Sequence, residues 1–101
     1  MPKNSDNNTV RITPHSIEAE KAVLGCILIN PDAISKSVQI LDSKDFYKKS
    51  NRIIFDNMVS LFEENKQIDY VTILDKLNKN KQLKEIGDAY YITGLAEDAP
   101  S

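Results

Sequence analysis

Ile17-Glu18-Ala19-Glu20-Lys21-Ala22-Val23-Leu24-Gly25-Cys26-Ile27-Leu28-Ile29, followed at once by Asn30-Pro31-Asp32, decides the fold class. Ile17, Leu24, Ile27 and Leu28 recur at helical spacing, and Ala19 and Val23 widen their face. Glu18 and Glu20 fall in the first turn, where the helix dipole favours anions. Ser16 or His15 can cap. The half from Ala22 onward is apolar nearly all round and carries β-branched residues, so a strand is open to it. Helix is preferred because the periodic stretch runs from Ser16 to Ile29 and stops at a new helix-start signal. Gly25 costs ~1 kcal/mol of helix propensity in that interior. A close helix–helix contact at Gly25 would compensate.

Outward from this stretch the same period continues. Asn30-Pro31-Asp32 reads as an N-cap, a proline at the first helical position and an acid behind it. It opens a short helix over Pro31 to Ile40 with Ala33, Ile34, Ser37, Val38 and Leu41 as its apolar stripe, and with Asp32 and Lys36 as an i,i+4 pair. Asp42 to Tyr47 is a polar turn ending in two aromatics. Ser50 to Glu64 is the longest predicted helix, carrying Ile54, Phe55, Met58, Val59, Leu61 and Phe62. Asp69 caps a helix over Tyr70 to Lys79, with Val71, Leu74 and Leu77 inward. Leu83 and Ile86 lie in a turn that stops at Gly87. Asp88 caps a last helix over Ala89 to Ala96, with Tyr91, Ile92 and Leu95 inward. Ile68 to Ile73 alternates weakly, but Asp69 suits an N-cap better than a strand. The fold class is therefore all-α, a compact orthogonal bundle of five or six short helices. Residues 1–13, polar and asparagine-rich, read as a disordered tail ahead of a helical domain over 14–97.

Composition narrows what such a bundle does. At 101 residues the chain holds one small domain, and a chain of this size buries about 60–70% of its unfolded surface. Thirteen Lys and Arg against 15 Asp and Glu leave a net charge of -2, which argues against a domain devoted to neutralising phosphates. The single cysteine, Cys26, forms no internal disulfide and reads as a buried, inert thiol. The apolar run Ala22 to Ile29 falls far short of the ~20 residues that span a bilayer, and no secretory signal precedes it. A soluble protein of a reducing compartment is expected.

No catalytic constellation stands out. His15 reads as a helix-start residue without nearby partners. Glu63-Glu64, Asp42 with Asp45, and Glu97-Asp98 read as solvated surface. Gly25, Gly87 and Gly94 form no phosphate cradle. Lys76, Lys79, Lys81 and Lys84 suit a helix C-terminus, and Lys48-Lys49 with Arg52 is a smaller basic group of the same kind. No catalytic, cofactor or metal residue is assigned. Neighbours on a helix point about 100° apart, so with Tyr91 inward Tyr90 is at least partly exposed and can anchor a partner. Excess apolar surface suits a self-paired interface. Phe62, Tyr90, Tyr91 and Leu95 are the candidate partner or self-association residues. By its residues alone the chain reads as a helical interaction domain.

Pro14-His15-Ser16-Ile17-Glu18-Ala19-Glu20 followed by Val23-Leu24-Gly25 resembles the opening of the N-terminal domain of DnaB-type bacterial replicative DNA helicases. The resemblance continues in order through Asp45-Phe46-Tyr47, Ile54-Phe55, Ile68-Asp69-Tyr70-Val71-Thr72 and Gly87-Asp88-Ala89-Tyr90 to Ala99-Pro100-Ser101. It covers nearly everything from Pro14 onward. The family often has a histidine where this chain has Asn51, two glycines where it has Gly87-Asp88, and a plainer Leu-and-Ala helix over Tyr91 to Leu95.

The resemblance implies the first domain of a longer protein, with 98–101 as the start of a linker to a helical hairpin and an ATPase domain beyond it. ATP and magnesium would belong to that other domain, as would single-stranded DNA. The parent would be a hexameric ring that unwinds DNA, and these domains would pair into its collar. The collar would receive primase and a helicase loader or initiator, with no membrane involved. The implied location is cytoplasmic, on the bacterial nucleoid, with a plastid as the second possibility. The alternative function is a stand-alone helical adaptor similar to the helicase-binding domain of primase.

Overall fold

The computed structural model describes residues 16–100. The expected tail over 1–13 and His15 lie outside them. Among the described residues there are five α-helices, two short 3-10 turns and no strand. None of the helices is long and apolar enough to cross a membrane. Helix α1 spans Ile17–Ile29, α2 Ala33–Ile40, α3 Lys49–Glu63, α4 Tyr70–Lys79 and α5 Asp88–Glu97. The 3-10 turns, Ser43–Asp45 and Lys84–Ile86, precede α3 and α5.

Local chemistry sets each boundary. Ser16 caps α1, its Oγ accepting from the Ala19 N–H at 3.1 Å. Helix α2 begins two residues after the expected proline start, because Ala33 N–H donates to Asn30 O and Ile34 N–H to Pro31 O in a tighter i→i+3 turn. Asp42 and Asp45 form a capping box around the first 3-10 turn. Asp69 and Thr72 form a second box at α4, each side chain taking the other's backbone N–H at 2.9 Å. That box puts buried Ile68 and Ile73 at the two positions of a hydrophobic staple. It also fixes the rotation of α4. Ile73 and Leu77 turn inward, and Val71, expected inward, is 70% exposed.

Two helices end in Schellman turns. Lys66 N–H reaches Leu61 O at 2.9 Å, and Gln82 N–H reaches Leu77 O at 2.8 Å. These turns place Asn65 and Lys81 in the left-handed region, each with φ 58°. The start of α5 differs from the expected Asp88 cap. Asp88 N–H closes the preceding turn onto Leu83 O at 2.9 Å. The backbone turns left-handed at both Gly87 and Asp88, with φ of 96° and 62°. Gly87 is then the cap position, and no side chain caps it.

Helix α3 is the centre of the bundle, touching α1, α2, α4 and both 3-10 turns. Helix α5 lies across α1 and α4. Leu24, Ile27, Ile54, Phe55, Met58, Ile73, Leu77, Ile92 and Leu95 make the fully enclosed core. Phe46 stacks on Phe55 with ring centroids 4.9 Å apart. At the α1–α5 crossing Gly25 is buried, and a Cβ there would collide with the Leu95 carbonyl oxygen and stand 2.9 Å from Ala99 Cβ. The helical reading of Ala22 to Ile29 and its close contact at Gly25 thus occur together.

Candidate functional site

Helix α3 starts with Lys48 in the cap position, and lysine has no acceptor to offer. The acceptor comes from α1. Glu20, expected to be a first-turn surface acid, is instead buried. Its carboxylate accepts from Tyr47 N–H at 2.6 Å, Lys48 N–H at 3.3 Å and Asn51 Nδ2 at 2.8 Å. The charge therefore sits at the positive end of the α3 dipole. The Arg52 guanidinium holds the other side of the same loop, donating to Phe46 O at 3.0 Å and Tyr47 O at 2.8 Å. Arg52, read as part of a basic group, thus serves as an internal clamp.

Asn51 carries the network onward. It is fully buried, and its Oδ1 accepts from the Tyr91 hydroxyl at 2.6 Å. Glu20, Asn51 and Tyr91 thereby join α1, α3 and α5 through charge-assisted and neutral hydrogen bonds. Burial pushes the Tyr91 phenol above its ordinary value, and the nearby Glu20 charge adds to this. The ammonium groups of Lys48 and Lys21 lie 5.0 and 5.9 Å from the Tyr91 ring centre. A second polar knot ties α3 to the turn after α4. Asn57 donates to Ile53 O at 2.7 Å and Gln82 Oε1 at 3.0 Å, and accepts from Asn80 Nδ2 at 2.9 Å.

Sequence reading missed Glu20, Asn51 and Asn57. A signal was present in two asparagines lying on the face of α3 that otherwise carries Ile54, Phe55, Met58 and Leu61. A buried amide must be paired, so asparagine at core spacing announces partners without naming them.

The four candidate partner residues occupy different settings. Tyr90 is 86% exposed at the start of α5 and lines a shallow cleft with Lys21, Tyr91, Thr93 and Glu97. Tyr91 is half-buried and held by Asn51. Phe62, at 37%, lines a separate hollow with Pro31, Ile34 and Ile68. Leu95 is 1% exposed and belongs to the core. Thr93 Oγ1 lies 3.1 Å from the Tyr70 hydroxyl, linking the exposed side of α5 to α4.

Other readings resolve locally. Cys26 is half-buried rather than buried, at the edge of the inward face of α1. Glu64 pairs with Lys76 at 2.7 Å and Lys66 at 3.5 Å, and these cations hold its carboxyl below the usual carboxylate range. Among the described residues no three His, Cys, Asp or Glu stand close enough to hold a metal ion.

The family model of the DnaB-like helicase N terminal domain matches residues 12–101. The chain belongs to that family. It is 38% identical over 91 residues to the replicative DNA helicase DnaB of Geobacillus stearothermophilus, covering 90% of this chain and 20% of that protein. It is 38% identical over 85 residues to the replicative DNA helicase DnaB of Rhodothermus marinus, covering 84% of this chain and 9% of that protein. The chain thus spans a fifth or less of these two DnaB relatives. The crystal structure of the N-terminal domain of DnaB helicase from Mycobacterium tuberculosis superposes with a TM-score of 0.83 at 31% identity, over 87% of this chain and 61% of that one. The DnaB N-terminal domain fold, with its short helices and tight turns, is therefore the one found here.

Proposed function

We propose that this chain acts as the collar domain of a ring-forming replicative DNA helicase, pairing with copies of itself and receiving primase and a helicase loader. The observation that carries the reading is the family match over residues 12–101, which takes in every described helix. The full-length relatives are named replicative DNA helicases. In this reading ATP, magnesium and single-stranded DNA are handled by other parts of the parent protein, in the bacterial cytoplasm. The domain's own work is architectural.

The mechanism is a population shift. A ring whose collar has more than one packing is moved toward the packing that primase prefers, by no more than primase's differential affinity for the two. Exposed Tyr90 and Phe62 supply aromatic anchors of the kind that concentrate binding energy. The rigid Glu20–Asn51–Tyr91 network supports α5 from beneath, so a docked partner meets a preformed surface.

Sedimentation equilibrium of the chain from micromolar to millimolar concentration tests pairing. Calorimetric titration with the C-terminal domain of a primase tests reception. Concentration-dependent dimers and saturable heat are the expected results. A chain that stays monomeric throughout and takes up no primase domain or loader contradicts the collar role.

A further inference from the structure

The end of α5 does not simply release the chain. Ala99 Cβ lies 2.9 Å from the point that a Gly25 Cβ would occupy, beside the Leu95 carbonyl. Pro100 shares a hollow with Glu18, Lys21 and Ala22, one to two turns nearer the start of α1. The residues after Glu97 therefore run along α1 toward its N-terminal end. Two features of the sequence build this path. Proline at 100 disfavours helical backbone at Ala99 and turns the chain out of α5. Gly25 and Ala22 leave a shallow seat on α1 in which a backbone can lie close.

We infer that Ala99-Pro100 is a fixed strap seated on α1 and not the start of a flexible linker. Its register is set by Gly25. In a parent protein that continues past this domain, the strap fixes the bearing on which the chain leaves, so that tilting α5 against α1 swings whatever follows. That consequence rests on the family reading above. The strap itself does not.

The test is 15N relaxation of the chain, reading the backbone order parameter of residue 99. A seated strap gives a value near that of α5, about 0.85, where a flexible linker gives less than about 0.6. Ala99→Leu replaces the methyl with a side chain too large for the seat. It is expected to drop residue 99 below about 0.6 while Tyr90 and Ile92 keep their order. Gly25→Ala presses on the Leu95 carbonyl of α5 as well as on Ala99, so Ala99→Leu is the variant that decides. A low value at residue 99 in the unmodified chain overturns the strap, as does a high value that survives Ala99→Leu. Either failure leaves the collar reading untouched, since pairing and primase binding are measured separately.

Discussion

Gly25 of α1 faces the carbonyl oxygen of Leu95 of α5 so closely that no β-carbon fits between them. Glycine inside a helix ordinarily weakens it by roughly 0.5–1 kcal/mol relative to alanine. Here the sign reverses. Gly25→Ala drives a Cβ into the Leu95 carbonyl, which cannot rotate away as a side chain can, and is expected to cost about 2–3 kcal/mol. Gly94, one residue before Leu95, has nothing within 4 Å of its would-be Cβ. Gly94→Ala is therefore expected to stabilise by about 0.5–1 kcal/mol. Urea unfolding of both variants checks the pair, and equal signs would contradict the packing account.

The Glu20–Asn51 contact makes a second prediction. Glu20→Gln leaves one carbonyl oxygen to serve three donors and removes the charge from the start of α3. About 1–3 kcal/mol should be lost. Asn51→Ala takes one of three donors from the Glu20 carboxylate and removes the acceptor of the Tyr91 hydroxyl, at similar cost. Because each variant breaks part of one network, the double variant should cost clearly less than the sum of the singles. Asn51→His, the residue the family often carries there, should be better tolerated than Asn51→Ala. A fully additive double-mutant cycle would show that the residues act independently.

Tyr91 gives a pH signature. Its phenol titrates above the ordinary 10.0 because burial disfavours the phenolate. The native state therefore keeps the proton at a pH where the unfolded chain has begun to lose it. The contribution to stability is whole below pH 10 and is lost as pH rises through the folded pKa. Tyr91→Phe should cost about 1 kcal/mol at neutral pH, from the hydrogen bond to Asn51. It should also flatten the decline above about pH 10 relative to the parent. Denaturant titrations of both proteins at pH 7 and at about pH 10.5 separate the two effects.

How much of this was legible beforehand depended on whether the signal was local. The helices announced themselves through apolar spacing, and Ser16 and Asp69 through capping chemistry carried within three residues. The Gly25 contact was legible because an interior glycine has a known cost that something must offset. What escaped was set by residues far apart in the chain. Glu20 meets Tyr47 and Asn51 across more than 25 positions, and no pattern around Glu20 separates it from Glu18, which stays exposed. Val71 was misplaced on the inward face of α4 for a related reason, whereas Leu77 is buried and Leu74 packs against the core. Val71, Leu74 and Leu77 make as good a stripe as Ile73 and Leu77, and only burial of Ile68 beside the capping box chooses between them.

Lys81 offers a stabilising change. It holds φ 58° in the turn after α4, where a side chain costs ~1–2 kcal/mol that glycine avoids. Part of that gain is returned through the freer unfolded chain, so Lys81→Gly should add about 0.5–1 kcal/mol. The melting temperature should then rise by about 2–8 °C for a domain of this size. Calorimetry reads the change directly, and no rise would mean that the lysine stem contributes packing of its own.

The candidate partner residues divide by burial, and that decides which substitutions test docking. Leu95→Asp places a charge in a core position that is 1% exposed and is expected to unfold the domain, so lost binding in that variant says nothing about a surface. Tyr90→Asp changes a side chain that is 86% exposed and should leave the melting temperature within a few degrees of the parent. If α5 carries the contact, Tyr90→Asp weakens self-association or primase binding by about tenfold or more, as loss of an aromatic anchor does. Phe62→Asp probes the separate hollow between α2 and the end of α3. A loss confined to Phe62→Asp assigns the partner to that side of the bundle, and two folded variants that bind normally remove both aromatics from the interface.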